Sequence, residues 1–331
     1  MNLQNRIAML AKLGDYLKQN SEEWVSIKNK AAYVNPWFIP DFIDLAAENI
    51  ANVFLDEVEL EKWAQHYHLD NNISPKTVGI VMAGNIPLVG FHDFLAVFIS
   101  GHHQKIKLSS KDDVLLKHFI YKLIEWNAAV AEFVSIADNL KDCDAYIATG
   151  SNNTALHFEQ YFGKYPNIIR KNKTSVAILT GKETNEELGE LAKDIHYYFG
   201  LGCRNVTKIY VPTEYDFIPL LKAFDNFKFL SENHRYMNNY DYQLSILLIN
   251  GIQYMTNGTT LLSENPSLFS PISVLHYEHY QFVENVMADL QTNNDVQCIV
   301  AENGIPFGQA QQPDLFAYAD GVDTLQFLLT L

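Results

Sequence analysis

The chain has 331 residues, 48% apolar and 19% charged, and its 24 basic against 39 acidic side chains leave a net charge of −15. That composition excludes a disordered or fibrous protein, and the negative charge argues against nucleic acid or an anionic membrane surface as partner. At roughly 150 residues per domain, the length fits two domains or one large α/β unit.

The N-terminal stretch alternates charged with apolar residues, so it has no signal-peptide core. Ile7, Leu10, Leu13 and Leu17, and then Ile43, Ala46, Ala47, Ile50 and Phe54, recur at helical spacing. The first 70 or so residues are therefore expected to be helical. From Lys76 the pattern changes to short β-rich runs alternating with amphipathic stretches: KTVGIVMA, LVGFHDFLAVFIS, KIKLS, DDVLLKHFIYKLIEWNAAV and AEFVSIA. That βαβαβ order predicts a parallel sheet. CDAYIATG, a helix from about Asn153, NIIRK, SVAILTG, a helix over Glu186–Phe199 and VTKIYVP continue it, and GIQYMTNGTTLLSEN reads as a hairpin around Asn257-Gly258. The longest apolar run, 86–99, is interrupted by Pro87, His92 and Asp93 and is shorter than the roughly 20 residues of a membrane span. Cys143, Cys203 and Cys298 are too irregularly spaced for a disulfide framework or a Cys-x-x-Cys metal site. A soluble, cytoplasmic protein without a metal is expected, with His102 and His103 on its surface.

In doubly wound sheets ligands bind beyond the carboxyl ends of the strands, so the chemistry is sought in those loops. Asn85, in AGNIPLVG after the first strand, offers a carboxamide donor to a developing oxyanion; it reads equally as a turn or a helix cap. Lys107, in IKLSS, stands where it can hold ribose hydroxyls or phosphate, or simply face water. Thr149, Gly150 and Ser151, in IATGSNNT, combine small residues with a helix N-terminus, which suits phosphate binding or mere capping. Cys203, between Gly202 and the strand VTKIYVP, is either a reactive thiol at an element boundary or a small buried hydrophobe. Cys143 and Cys298 read as buried packing residues.

Taken in order, GNIP, IKLSS, ATGS and GLGC, with SLFSPISVL after them, give the chain from about Thr77 onward a resemblance to one family. It resembles the acyl-CoA reductases related to the fatty acid reductase of bacterial bioluminescence, within the aldehyde dehydrogenase superfamily. The resemblance implies a Rossmann-like cofactor lobe and a second α/β catalytic lobe. It also implies that Cys203 attacks an acyl thioester while Asn85 and the Cys203 backbone N–H stabilise the oxyanion, and that nicotinamide hydride reduces the acyl-enzyme to aldehyde. The lobes are expected at 1–180, with the N-terminal helices, and 181–300, with 301–331 packing back on both.

Three departures from the family pattern shape the expectation. RKNKTSVAILTGKE has no acid before Glu183, where oxidising aldehyde dehydrogenases carry a water-activating glutamate. Ser109 and Ser110 replace the acid that holds an adenosine ribose, and Ser110 with Lys111 can accommodate a 2′-phosphate, which favours NADPH and leaves NADH possible. Near Ser267 a second glutamate is replaced, leaving Phe269 and Pro271 as matches around the nicotinamide ribose. The expectation is NADPH-dependent reduction of acyl-CoA to aldehyde, with an acyl-transferring partner protein and a homodimer both compatible with it. Reduction of an acyl phosphate, as in the glutamyl-phosphate reductase branch, and a non-catalytic acyl-binding protein are the alternatives.

Overall fold

The computed structural model describes residues 1–71 and 73–331. The chain divides into two compact units, one formed by Met1–Asn172 with Asp314–Leu331 and the other by Lys173–Pro313. The division thus falls earlier than the expected boundary at residue 180, and the C-terminal segment from Asp314 is part of the first unit.

The first unit is built on a five-stranded sheet in the order β3-β2-β1-β4-β5, all parallel. Its strands are β1 (Thr77–Val81), β2 (His103–Lys107), β3 (Val134–Ile136), β4 (Ala145–Thr149) and β5 (Asn167–Arg170). In β4 the residues from Ala145 to Ala148 are all buried, as expected for a strand covered on both faces. The helix Phe91–Ser100 is apolar nearly all round and correspondingly buried. The N-terminal helices pack Ile7, Leu10, Leu13, Trp24 and Trp63 into the same core, where the helix spacing in the sequence placed the first three. The C-terminal helix Thr324–Leu329 lies against Phe91–Ser100 and buries Leu325 and Leu328. Asp93 of the buried helix pairs with Arg170, which also donates to Thr324 Oγ1 at 2.7 Å.

In the second unit a six-stranded sheet runs in the order β11-β6-β7-β10-β9-β8. Its strands are β6 (Thr174–Ile178), β7 (Val206–Pro212), β8 (Tyr254–Thr256), β9 (Leu261–Glu264), β10 (Val274–Tyr280) and β11 (Val296–Val300). Only β8 pairs antiparallel, forming with β9 the expected hairpin. Its loop is longer than a two-residue turn: Asn257 Oδ1 accepts from the N–H groups of Thr259 and Thr260, and Gly258 takes a φ of 93°. Among the described residues no helix is long and apolar enough to cross a membrane, and no cluster of three or more His, Cys, Asp or Glu could hold a metal ion. His102 is buried, contrary to the surface expectation: its Nδ1 accepts from the Lys76 N–H and its Nε2 bonds the Leu328 carbonyl.

Candidate active site

In the first unit Val81, Lys107 and Ala148 stand level across neighbouring strands, so the turns that follow share the carboxyl edge of the sheet. Asn85 lies half-buried in the turn between β1 and the helix Phe91–Ser100. It is not the cap of that helix, which starts from Gly90 with no side-chain cap. Lys107 ends β2 exposed, Ser109 is half-buried, and Ser110 and Lys111 are exposed. Asp112, the next residue, turns inward and accepts from the Leu88 N–H at 2.7 Å. Thr149 and Gly150 are half-buried, and Ser151 caps the helix Asn152–Phe162 by accepting from the Thr154 N–H. A Cβ on Gly150 would stand 3.1 Å from Thr154 and Phe158 side-chain atoms, so glycine lets the helix start this close to the strand. The sequence readings of Asn85, Lys107, Ser109, Ser110, Thr149, Gly150 and Ser151 are therefore gathered on one edge.

The second unit carries Cys203. The helix Asn185–His196 opens with a capping box between Thr184 and Glu187 and ends at His196, three residues before the expected Phe199. It ends there because Tyr198, Phe199 and Gly200 take left-handed φ values of 54°, 58° and 73°. Such a conformation costs a non-glycine residue about 1–3 kcal/mol and persists only where the surroundings impose it. Tyr198 and Phe199 are buried, and Phe199 packs on Tyr236.

Asn205 holds the turn that follows. Its Oδ1 accepts from the Gly202 N–H at 2.7 Å, while its Nδ2 donates to the carbonyls of Asp194 at 3.0 Å and Tyr197 at 2.8 Å. Ser175 Oγ donates to the Cys203 carbonyl at 3.0 Å. Cys203 itself is half-buried, whereas Cys143 and Cys298 are buried as expected and burial pushes both thiols up. Asp194 anchors a further loop, accepting from the N–H groups of Gly308 and Ala310; burial pushes its carboxyl up to about 7.

Phe269 lies in the loop entering β10, which pairs with β7 in parallel, so this loop and the Cys203 turn share the amino edge of their sheet. Each carbonyl from Pro266 to Phe269 is taken by a side chain: Lys208 Nζ, His276 Nδ1, Thr207 Oγ1 and Ser267 Oγ respectively. Lys208 is buried and pairs with Glu278 at 2.6 Å. A cavity beneath the two segments is lined by His196, Phe199, Gly200, Tyr236, Thr260 and Pro271 among others. His196 bonds Ala192 O through Nδ1 and Thr260 Oγ1 through Nε2, and burial lowers it to about 4, so the ring is neutral. Asn205, Lys208 and Asp112 escaped the sequence reading. A buried amide or ion gives no periodic signal, although Asn just after a Gly-Cys turn is a local cue for a side chain that closes it.

A family model described as acyl-CoA reductase (LuxC) matches residues 10–218. No curated protein matches the chain. Among solved structures, the indole-3-acetaldehyde dehydrogenase AldA of P. syringae, in complex with NAD+ and IAA, is 14% identical with a TM-score of 0.67 over 92% of this chain and 73% of its own. Aldehyde dehydrogenase 21 of Physcomitrella patens, in complex with the reaction product succinate, is 15% identical with a TM-score of 0.64, over 89% and 72% of the two chains. The aldehyde dehydrogenase KauB of Pseudomonas aeruginosa is 12% identical with a TM-score of 0.64, over 92% and 73%. At such identities the likeness is one of fold: the mixed α/β chain has the fold of the aldehyde dehydrogenases.

Proposed function

The chain belongs to the acyl-CoA reductase (LuxC) family, and from that premise we propose that it reduces an acyl thioester such as acyl-CoA to the aldehyde through an acyl-enzyme on Cys203, with NADPH as the reductant. The observation that carries this reading is the Cys203 turn. It presents a half-buried thiol from a backbone locked by Asn205 and Ser175, at the end of a strained left-handed run. Locked geometry without steric sealing is what a nucleophile needs.

In this mechanism the Cys203 thiolate adds to the thioester carbonyl, and the oxyanion would take hydrogen bonds from the Cys203 N–H and, as the family resemblance implies, from the Asn85 carboxamide. The carbon–sulfur bond to coenzyme A then breaks, and the departing thiolate takes up a proton. When bound, NADPH would supply the hydride that reduces the acyl carbon. The resulting hemithioacetal oxyanion is held by the same donors until it collapses to aldehyde and free thiolate.

No water-activating carboxylate is required, and the chain offers none between Glu159 and Glu183. Glu183 is occupied in its own loop, accepting from Thr180 Oγ1 at 2.8 Å and the Gly181 N–H at 3.1 Å. Arg170 at the end of β5 is committed to Asp93 and Thr324. The lack of a free carboxylate in that stretch favours reduction over oxidation to the acid.

The cofactor fits the first unit. Lys107, Ser110 and Ser151 are exposed at the carboxyl edge of a parallel sheet, beside a helix N-terminus, and they would hold the ribose and phosphates. Asp112 is the next acid after β2, but it is buried against Leu88 and so withdrawn from a ribose, leaving Ser110 and Lys111 to meet a 2′-phosphate. Phe269 would flank the nicotinamide ribose. The test is incubation with acyl-CoA followed by mass spectrometry of the intact protein. An acyl adduct on Cys203, absent in Cys203→Ala and discharged by NADPH with release of aldehyde, is the expected result. Acylation by an acyl phosphate but not by acyl-CoA, or no adduct at all, would overturn it.

A further inference from the structure

Two turns interlock at the carboxyl edge of the five-stranded sheet, Gly84–Gly90 after β1 and Leu108–Asp113 after β2. A Cβ on Gly84 would stand 2.5 Å from Ser109 Oγ and 3.2 Å from the Asp112 nitrogen, so no space separates them. The Asp112 N–H donates to the Ser109 carbonyl at 3.0 Å, and Asn35 Nδ2 donates to the Lys111 carbonyl at 3.0 Å, which ties the second turn to the N-terminal helices. From this fixed base Asp112, 8% exposed, reaches across and accepts the Leu88 N–H. Leu88 is held there at a φ of 59°, a left-handed conformation that leucine avoids unless its backbone is restrained.

The carboxyl uses only half of its capacity. Asp112 Oδ2 takes the Leu88 N–H while Oδ1 is buried with no hydrogen-bond partner. Burial, with a smaller contribution from Asp113, pushes the group up to about 7. The Gly84–Leu88 turn contributes no charged side chain, and the Lys111 side chain is exposed. A carboxyl is thus retained where its charge is penalised and where its one structural duty is to hold the turn that carries Asn85.

We propose that Asp112 is a positioning residue for acyl reduction, its carboxyl setting where the Asn85 carboxamide stands through the Leu88 N–H. The proposal rests on the reading of Asn85 as oxyanion donor. It places Asp112 outside the reacting atoms: the residue fixes a backbone turn, and the effect reaches the substrate only through Asn85.

Asp112→Ala and Asp112→Asn test it, by steady-state kinetics from pH 5.5 to 8.5 and by amide hydrogen exchange of peptides covering 84–90. Misplacing one oxyanion donor costs on the order of tenfold or more. Asp112→Ala is therefore expected to lower kcat by about that factor, to leave the KM for NADPH within about twofold, and to lose exchange protection over 84–90. Asp112→Asn keeps an acceptor for the Leu88 N–H, so it restores protection and most of kcat but removes an ionisation near neutrality from the kcat profile. Wild-type kinetics and protection in Asp112→Ala would overturn the proposal. If that variant does not fold, an Asp112→Asn profile indistinguishable from wild type does so. If the wild-type protein reduces no acyl thioester, the functional reading fails and the positioning role with it, while the exchange data still report whether Asp112 holds the turn.

Discussion

The residues that shape the Cys203 turn are a buried amide and a buried hydroxyl. Asn205 closes the Gly202 N–H and the carbonyls of Asp194 and Tyr197 with one carboxamide. Leaving such buried groups unpaired costs about 1–3 kcal/mol each, so Asn205→Ala is expected to lower the unfolding free energy by about 3 kcal/mol in urea titration. Acylation of Cys203 falls with it under conditions where the variant is still folded. Asn205→Asp fares no better, because it places a carboxylate against the carbonyls. Lys111 invites a separate prediction at the same scale. A charge-assisted bond to a 2′-phosphate is worth about 1.5–3 kcal/mol, so Lys111→Ala raises the KM for NADPH by about tenfold and leaves that for NADH unchanged. An equal effect on both cofactors would remove the 2′-phosphate role. Cys203, Asn85 and Lys107 were legible in the sequence because each sits beside a glycine turn or at the end of a strand pattern. Lys208 was not, since a lysine inside VTKIYVP reads as the polar face of a strand, yet it is buried against Glu278 and the Pro266 carbonyl.

Among the elements, the strand–turn–helix units at the carboxyl edge depend on how closely their turns approach. Gly84 is needed there for space: with a Cβ it would meet Ser109 Oγ at 2.5 Å and Ser109 Cβ at 2.7 Å. Gly84→Ala is therefore expected to push the turns after β1 and β2 apart and to lower kcat/KM for acyl-CoA by about tenfold, the order set by a misplaced reacting group, with the circular dichroism spectrum unchanged. Adding Ser109→Gly removes both colliding atoms and restores activity; failure to restore it would mean that Gly84 serves some other purpose. The elements themselves were largely visible in advance, from β1 through β7 and the β8–β9 hairpin. The helix before Cys203 ran shorter than its amphipathic pattern suggested. Its last aromatics bury themselves by leaving the helix rather than by extending it, which periodicity cannot signal.

On the scale of the whole molecule, Asp112 and Asp194 give stability a pH dependence of definite sign. Burial raises both carboxyls to about 7 from an ordinary value of 3.8. Between those values the two carboxyls hold protons in the folded protein that the unfolded chain has released, so their contribution to the unfolding free energy falls as pH rises from about 4 to about 7, while neutral His196, lowered to about 4 from 6.5, contributes in the opposite direction between those two values. Chemical denaturation of wild type and Asp112→Asn side by side isolates one carboxyl: the wild type is expected to lose a few kcal/mol relative to the variant as pH rises from about 4 to about 7. Asp112→Asn removes its share of the slope and is more stable than wild type at pH 8. A wild-type profile parallel to that of Asp112→Asn through this window would show that Asp112 does not stay neutral in the folded state.

The sequence alone determined the class of the architecture, because alternating two-residue and helical periods admit few arrangements other than parallel sheets with crossover helices. It also singled out turns that could carry chemistry, since strand ends, glycines and a cysteine beside a glycine are local features. Tertiary structure decided the rest through pairings remote in the chain. Trp63 donates to Tyr318, 255 residues away, and Arg170 reaches Asp93 across 77. Contacts of that separation place the C-terminal segment in the first unit and bury His102, and a bond across 24 residues turns Asp112 toward Leu88. A local pattern reports how a segment can coil and which of its faces is apolar; which partner covers that face is settled only when the whole chain has folded.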